Sequence, residues 1–308
     1  MALMADGRRT RLTMSHARDV AVRAAHAAGS LILSRAEQKV TVDDKGTDGD
    51  VVSDLDLASE RVIIEEILRD FPSHQLETEE SGIVGDNPDA VWVVDPLDGT
   101  GNVALGLPVL AVGIVLCLSN VPTVGVIHEP ITGRTCSAIR GEGAVFDGVG
   151  VLAKISRTRP RSLANPVLAW TQGRSVGSGD PTALACKLVL ESKSYRLLQE
   201  WAPLVTWAML ARGDIDGFVG YRVGSDDLHP GVLIASEVGV QVRDLVGDMF
   251  DERYYRDKER SFVAAPTGLL PNILASVVAA ESVSERLPLE LLQIVERESR
   301  HEGGDNDT

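Results

Sequence analysis

Aromatic residues are scarce in this sequence, at 4% of 308 residues. Proteins that hold single-stranded nucleic acid stack its bases on aromatic side chains, so this scarcity argues against such a platform. Positive charge is also in deficit, because 30 lysines and arginines face 45 aspartates and glutamates, a formal net charge of −15. Phosphate backbones are bound by basic patches. The composition therefore argues against a nucleic-acid partner and suits an acidic surface that binds cations.

Cysteine is almost absent, and long apolar runs are missing. The three cysteines, Cys117, Cys136 and Cys186, form no C-x-x-C pair, which predicts buried, reduced thiols in a cytoplasmic protein. No apolar stretch reaches membrane-spanning length without a charge or glycine, so no membrane partner is expected. Residues 1–13 carry arginines but no apolar segment, which predicts a mobile leader and not a targeting signal.

Several catalytic signatures are also missing. The sequence has no H-E-x-x-H zinc motif, no G-x-S-x-G elbow, no Walker A loop and no G-x-G-x-x-G fingerprint. The histidines are scattered without ligand spacing, and only His229, beside an acid pair, is a candidate for a site role. These absences argue against zinc peptidases, serine hydrolases, P-loop kinases and dehydrogenases.

Hydrophobic periodicity predicts a mixed α+β chain of layered sheets with antiparallel pairing, since strands and helices follow one another without strict βαβ alternation. We expect a disordered leader (1–14), an N-terminal α+β lobe with a metal site (15–155), a C-terminal α/β lobe that completes the site (156–295), and a disordered acidic tail (296–308). Predicted helices cover 15–34, 54–71, 181–191, 202–212, 226–238 and 272–286. Predicted strands include 75–82, 91–95, 109–118, 121–128 and 217–221.

The centre of the sequence is residues 91–102, V-W-V-V-D-P-L-D-G-T-G-N. A short apolar run that meets Pro and Gly is typical of a buried strand that stops abruptly. Asp95 and Asp98 follow it, and carboxylate oxygens suit Mg²⁺. The small residues after them let backbone N–H groups approach a phosphate.

Other acids could join this pair. Glu79 and Glu80 end the predicted strand 75–82, where alternation would point them to opposite faces, so that only one could face the site. Asp227 opens a predicted helix, and Asp50 lies in a polar loop. Two acids from one turn with a distant third would form a site for two cations, which clamps the oxygens of a phosphoryl transfer with water as the nucleophile.

Three blocks together resemble the Mg²⁺-dependent, lithium-sensitive inositol monophosphatase-like phosphatases over about residues 15–265. Residues 50–56 resemble that family's D-x-V-T-x-x-D block, residues 79–81 its E-E-S block, and residues 92–102 its W-I-x-D-P-I-D-G-T-x-N signature. The resemblance implies the layered αβαβα sandwich of the inositol monophosphatase and fructose-1,6-bisphosphatase type, in a homodimer.

The resemblance also implies roles. Glu79, Asp95, the Leu97 carbonyl, Asp98 and Asp227 would hold about two or three Mg²⁺ ions. The N–H groups of Gly99 and Thr100 would bind the phosphate, and Thr100, hydrogen-bonded to Asp50, would act with Glu79 on the attacking water. Asp98, Glu200 and Asp227 would contact the substrate. The implied reaction is hydrolysis of a small sugar- or cyclitol-phosphate by metal-activated water.

The C-terminal block departs from the family pattern. Asp226 replaces a tryptophan, so either Asp226 or Asp227 could be the ligand, and no acid stands near Gly220, where the family contacts inositol. The residues of the implied catalytic site are thus retained, while the residues that would recognise the alcohol part of the substrate differ from the family pattern. Fructose-1,6-bisphosphatase, 3′(2′),5′-bisphosphate nucleotidase and an inactive binding protein remain alternatives, and Trp201 and Arg222 join Glu200 and His229 as candidates for the alcohol pocket.

Overall fold

The computed structural model describes residues 2–35, 42–44, 51–148, 165–225 and 227–286. These residues form seven helices and fourteen strands. The helices are α1 (Ala2–Arg35), α2 (Asp54–Asp70), α3 (Thr100–Ala104), α4 (Pro181–Ser192), α5 (Pro203–Arg212), α6 (His229–Glu237) and α7 (Leu270–Ser284). The strands are β1 (Val42–Asp44), β2 (Val51–Ser53), β3 (Gln75–Thr78), β4 (Gly82–Val84), β5 (Ala90–Asp98), β6 (Ala111–Leu118), β7 (Val121–Glu129), β8 (Arg134–Ile139), β9 (Gly143–Gly148), β10 (Val167–Gln172), β11 (Arg196–Leu198), β12 (Gly217–Val223), β13 (Val240–Arg243) and β14 (Arg260–Pro266).

The first helix begins earlier than its sequence predicts. We expected a disordered leader over residues 1–14 and a helix from residue 15, but α1 begins at Ala2. This early segment holds alanine, leucine, methionine and arginine, which favour helix, and it lacks proline. Further along, the helix buries a stripe at helical spacing, which holds Ala17, Val20, Ala21, Ala24, Ala25, Ala28 and Ile32.

A seven-stranded sheet contains the central motif, in the order β4-β3-β5-β6-β7-β8-β9. Only β3 and β5 pair in parallel, and β6 to β9 form an antiparallel meander. Every residue of β5 is buried. The single strand predicted over residues 75–82 was wrong, because β3 ends at Thr78 and β4 begins only at Gly82.

A five-stranded sheet has the order β11-β10-β12-β14-β13. The strands β10, β11 and β12 run parallel, and β14 is antiparallel to both of its neighbours. The C-terminal ends of β10 and β12 lie side by side, with Gln172 paired to Tyr221. Loops at such ends are common positions for ligand sites in α/β sheets.

The helices and sheets stack in five layers. The pair α1 and α2 packs on the seven-stranded sheet, α5 and α6 lie between the two sheets, and α4 and α7 cover the five-stranded sheet. The helices of the middle layer pack so closely that a Cβ atom at Gly231 of α6 would lie 2.1 Å from the Trp207 ring of α5. The expected layered αβαβα sandwich is confirmed.

Some predictions concern residues outside the described ranges. The lobe boundary at 155/156 falls in residues 149–164, and the tail at 296–308 falls in residues 287–308. Among the described residues, every helix is too short or too polar to cross a bilayer. The three cysteines are buried and free, as predicted, and burial raises the pKa of Cys136 and of Cys186 to about 11.

Candidate active site

A β-bulge near the end of β5 orients the two acids of the central motif. Asp95 pairs with Gly113 of β6, but Asp98 pairs with Ala111, so β5 carries one more residue than its partner over this interval. In a regular strand, residues three positions apart point to opposite faces. A bulge redirects side chains beyond it. We infer that the extra residue is what lets both carboxylates face one site.

Asp227 completes a cluster of three carboxylates. It lies between β12 and α6, and one oxygen from each of Asp95, Asp98 and Asp227 lies within 4.8 Å of the others. Asp95 is 2% exposed and Asp98 is 5% exposed. The structure thus brings together three of the five predicted metal ligands. Asp226, the alternative to Asp227, lies outside the described residues.

The electrostatics of this cluster suit a divalent cation. Burial raises the pKa of Asp95 and of Asp98 well above the ordinary range, and the charge of Asp227 raises both further. Asp95 accepts a hydrogen bond from the Leu97 N–H at 3.0 Å, and Asp98 accepts one from the Leu204 N–H at 2.8 Å. These bonds leave the mutual repulsion in place. Hard oxygen donors crowded in this way fit Mg²⁺.

Thr100 is held by a different acid from the predicted one. Its hydroxyl donates to Asp56 at 2.8 Å and also lies 3.0 Å from the Leu97 carbonyl oxygen. Asp50, the predicted partner, lies outside the described residues. Burial raises the pKa of Asp56, and hydrogen bonds from Ser53 and Thr100 oppose that rise. Among the described residues, the acid that holds Thr100 is therefore the last aspartate of the D-x-V-T-x-x-D-like block.

One face of α2 supports two turns of the site. Beside Asp56, Ser59 donates to the Pro96 carbonyl at 2.8 Å. Glu60 accepts from the N–H groups of Glu80 at 2.9 Å and Ser81 at 3.0 Å, and also from the Ser81 hydroxyl. Asp56, Ser59 and Glu60 are at most 1% exposed. They anchor the motif turn and the acidic turn to one rigid helix.

The spacing of residues along α2 in the sequence already indicates the buried polar face that supports the site. Leu57 of this helix is 42% exposed. The apolar positions Ile63 and Ile67, extended backwards by three and four residues, lead to Asp56, Ser59 and Glu60. Polar residues at the helical spacing of a buried stripe indicate a site or its support.

Glu79 stands in the turn between β3 and β4, at the edge of the cluster. Glu79 and Glu80 are not in a strand, so the alternation of side chains along a strand does not decide which of them faces the site. The charge of Glu79 raises the pKa of Asp95 and of Asp98, which places it near them. Its carboxylate accepts from Arg174 at 3.1 Å.

The start of α3 adjoins the carboxylate cluster. Gly99 adopts φ 95°, and a Cβ there would lie 2.7 Å from the Val109 carbonyl, so the position favours glycine. The first N–H groups of a helix lack intrahelical acceptors, as at Thr100. The Asn102 amide donates to the carbonyls of Val109 at 2.8 Å and Glu200 at 2.9 Å. This amide ties the phosphate-binding candidate to the segment that precedes α5.

The candidate residues for the alcohol pocket differ from one another in exposure and contacts. Trp201 is 73% exposed at φ 56°, directly after Glu200, whose carbonyl Asn102 holds. Gly220 is buried, and a Cβ there would lie 2.2 Å from the Phe262 ring, so a larger side chain is excluded. Arg222 forms an ion pair with Glu259 at 2.8 Å.

His229 is buried in the core of the protein. It is 1% exposed, its ring lies 5.3 Å from that of Tyr254, and burial lowers its pKa to about 3. This burial argues against a role for His229 in the alcohol pocket.

Comparison with known proteins agrees with this geometry. The model of the inositol monophosphatase family matches residues 13–283. The chain is 30% identical over 262 residues to Nus factor SuhB of Haemophilus influenzae, covering 84% of this chain and 94% of that protein. It is 31% identical over 236 residues to inositol monophosphatase 1 of Solanum lycopersicum, covering 75% and 85%.

A solved structure shows the same fold. The extragenic suppressor protein suhB of Bartonella henselae superposes with a TM-score of 0.73 at 27% identity, over 84% of this chain and 97% of that one. The family match over most of the chain, the carboxylate cluster and the shared layered fold all support the same family assignment. The chain belongs to the inositol monophosphatase family.

Proposed function

We propose that this chain is a Mg²⁺-dependent phosphomonoesterase that hydrolyses a small sugar- or cyclitol-phosphate. The observation that carries the proposal is the convergence of Asp95, Asp98 and Asp227 beside the Thr100–Asp56 pair. The name of the tomato relative, inositol monophosphatase 1, supports this reaction class. The homodimer implied by the family is part of the proposal.

The residues that would hold Mg²⁺ are the three clustered aspartates, with Glu79 and the Leu97 carbonyl beside them. When bound, the cations would act as Lewis acids that neutralise phosphate charge and lower the pKa of a coordinated water. The crowding of buried carboxylates fits this demand, because neighbouring cations remove their repulsion.

The protein's own groups position the reactants. The N–H groups of Gly99 and Thr100 would bind the phosphate oxygens at the start of α3. Because the Thr100 hydroxyl donates to Asp56, its oxygen can accept a hydrogen bond from the attacking water. Glu79 would take the water proton. The water oxygen would bond to phosphorus in line as the bond from phosphorus to the ester oxygen breaks, and the departing alkoxide would take up a proton from solvent water.

The relatives named Nus factor SuhB suggest a second candidate function, a binding component without catalysis. A purely binding role has no use for three mutually repelling acids in a buried cluster. The retained cluster therefore favours hydrolysis over binding alone.

Phosphate release from a panel of sugar, cyclitol and nucleotide phosphates with Mg²⁺ tests the proposal. We expect turnover by the wild type and a loss of more than about 100-fold in kcat/KM for Asp95→Asn, since even indirect supports of metal sites cost 10–100-fold. Circular dichroism should show an intact fold.

Asp89→Asn is the matched control, because Asp89 is exposed and precedes the same strand. Retention of most activity by Asp95→Asn would refute the metal assignment. A wild type that releases no phosphate from any ester would favour the binding role.

A further inference from the structure

Arg174 extends from the second sheet to the acidic site. It follows β10, and its Nη1 lies 3.1 Å from Glu79 Oε1. The Arg174 side chain is 58% exposed, whereas that of Glu79 is 16% exposed. The guanidinium therefore connects the edge of the site to solvent, where an arriving substrate would meet it.

The backbone beneath Arg174 is fixed. Gly173 donates its N–H to the Tyr221 carbonyl at 2.9 Å, and Val176, which is buried, donates to the Gly173 carbonyl at 3.0 Å. A Cβ at Gly173 would lie 1.7 Å from the Arg222 carbonyl, so this turn packs directly against β12. The sheet thus sets the position of the Arg174 backbone, whereas its long side chain can change rotamer.

A guanidinium offers five N–H donors in a planar fork that matches a carboxylate or a phosphoryl group. The adjoining cluster consists of the carboxylates of Asp95, Asp98 and Asp227, on a chain with a net charge of −15. Arg174 therefore supplies positive charge at an edge where the protein would otherwise repel a second anionic group.

We propose that Arg174 binds a second anionic group of the substrate, a carboxylate or a second phosphoryl group on the alcohol part. This inference rests on the proposed phosphatase function and narrows its substrates to phosphate esters that carry another negative charge. Loss of the charge-assisted bond affects only substrates that have that group.

Matched substrates test the inference. 2-Phosphoglycerate differs from glycerol 2-phosphate by a carboxylate in place of a hydroxymethyl group, and fructose 1,6-bisphosphate carries one more phosphoryl group than fructose 6-phosphate. In each pair, the first substrate carries the second anionic group and the other lacks it. We expect Arg174→Ala to lower kcat/KM about tenfold or more, mainly through KM, for at least one substrate with the second anionic group, and less than about twofold for the matched substrate without it. The pair that responds identifies the anion.

Arg174→Lys should recover part of the preference, because it keeps the charge but not the fork. Arg69→Ala is the control, since Arg69 is similarly exposed at 61% and pairs with Glu66 near the far end of α2. It should leave all four substrates unchanged.

Calorimetric measurement of Mg²⁺ binding without substrate distinguishes substrate binding by Arg174 from a competing role, in which Arg174 only competes with cations for Glu79. An arginine that only competes with cations for Glu79 would give Arg174→Ala tighter Mg²⁺ binding and equal changes for both members of each pair, which would overturn the inference. If the wild type hydrolyses none of the four esters, the proposed function fails for them. The same four esters are then titrated by calorimetry with Mg²⁺, and equal affinity of wild type and Arg174→Ala for every doubly anionic ester refutes the role of Arg174.

Discussion

At the scale of single residues, Asp95 and Asp98 are acids placed where their charge is unfavourable. Their burial and the nearby Asp227 both favour the protonated form. The metal-free protein therefore loses stability when they ionise. The same repulsion that weakens the free protein strengthens its attraction for a cation.

This placement predicts a pH dependence of stability. Because the folded pKa of Asp95 lies above its unfolded value of about 3.9, the folded state binds more protons between the two values. The contribution of this group to stability then falls as pH rises through that window. In chelator, Asp95→Asn should melt at least about 2 °C above the wild type at pH 7.5. The difference should shrink as pH falls towards 4.5.

Differential scanning calorimetry from pH 4.5 to 7.5 measures this difference in melting temperature. Because both proteins contain the other titratable groups, such as Asp251, whose pKa is lowered by Arg253, the contributions of those groups cancel in the difference. Added Mg²⁺ should raise the melting temperature of the wild type more than that of Asp95→Asn. An Asp95→Asn variant that melts below the wild type at every pH would show that charge repulsion does not strain the cluster.

The sequence predicted most acids of the site but not all their roles. Asp95, Asp98 and Asp227 come together as their motifs indicated. Choosing the partner of Thr100 among the acids of residues 50–56 required knowing which one α2 turns inward. Asp56 is inward because Ser53 caps the helix and donates both its N–H and its hydroxyl to Asp56, at 2.8 and 2.5 Å. That choice depends on three-dimensional packing.

At the scale of elements, α2 sets the distance between the two acidic turns. Glu60 receives three hydrogen bonds from Glu80 and Ser81, directly after Glu79. A glutamine there would present an NH₂ group to some of these donors, and an unsatisfied buried donor costs about 1–3 kcal/mol. We expect Glu60→Gln to lower the free energy of unfolding by that amount and to weaken Mg²⁺ binding about tenfold.

Urea unfolding and Mg²⁺ calorimetry check this prediction. Glu65→Gln is the matched control, because Glu65 is exposed on the same helix. Unchanged Mg²⁺ affinity in Glu60→Gln would mean that the position of Glu79 does not depend on α2.

Elements with strong local signals were predicted well. α5 ends at Arg212, as predicted, and Gly213 caps it in the left-handed conformation with φ 73°. The bulge in β5 had no local signal, because it arises from the register with β6. The turn that contains Glu79 was missed for a similar reason, since Glu60, distant in the sequence, stabilises it.

At the scale of the whole molecule, the two large sheets share one core. A single buried cluster joins Ile127 and Cys136 of the seven-stranded sheet to Phe218 and Phe262 of the five-stranded sheet through Trp207 of α5. Removing either sheet would expose this cluster. The two halves therefore depend on each other for stability.

The shared core predicts one cooperative unfolding transition for the metal-free protein. Far-UV and near-UV circular dichroism in urea should give coincident curves with the same midpoint. Two separated transitions, with one sheet lost first, would contradict a mutual dependence of the halves.

The exposure of Trp201 has an optical consequence. Among the four tryptophans, Trp92, Trp170 and Trp207 are at most 2% exposed, while Trp201 is 73% exposed. A water-soluble collisional quencher such as iodide reaches Trp201 before the other three. The quenchable, red-shifted part of the intrinsic emission thus comes from the residue that follows Glu200, whose carbonyl is held by Asn102 of the central motif. The protein therefore carries an unlabelled fluorescent reporter beside its candidate site.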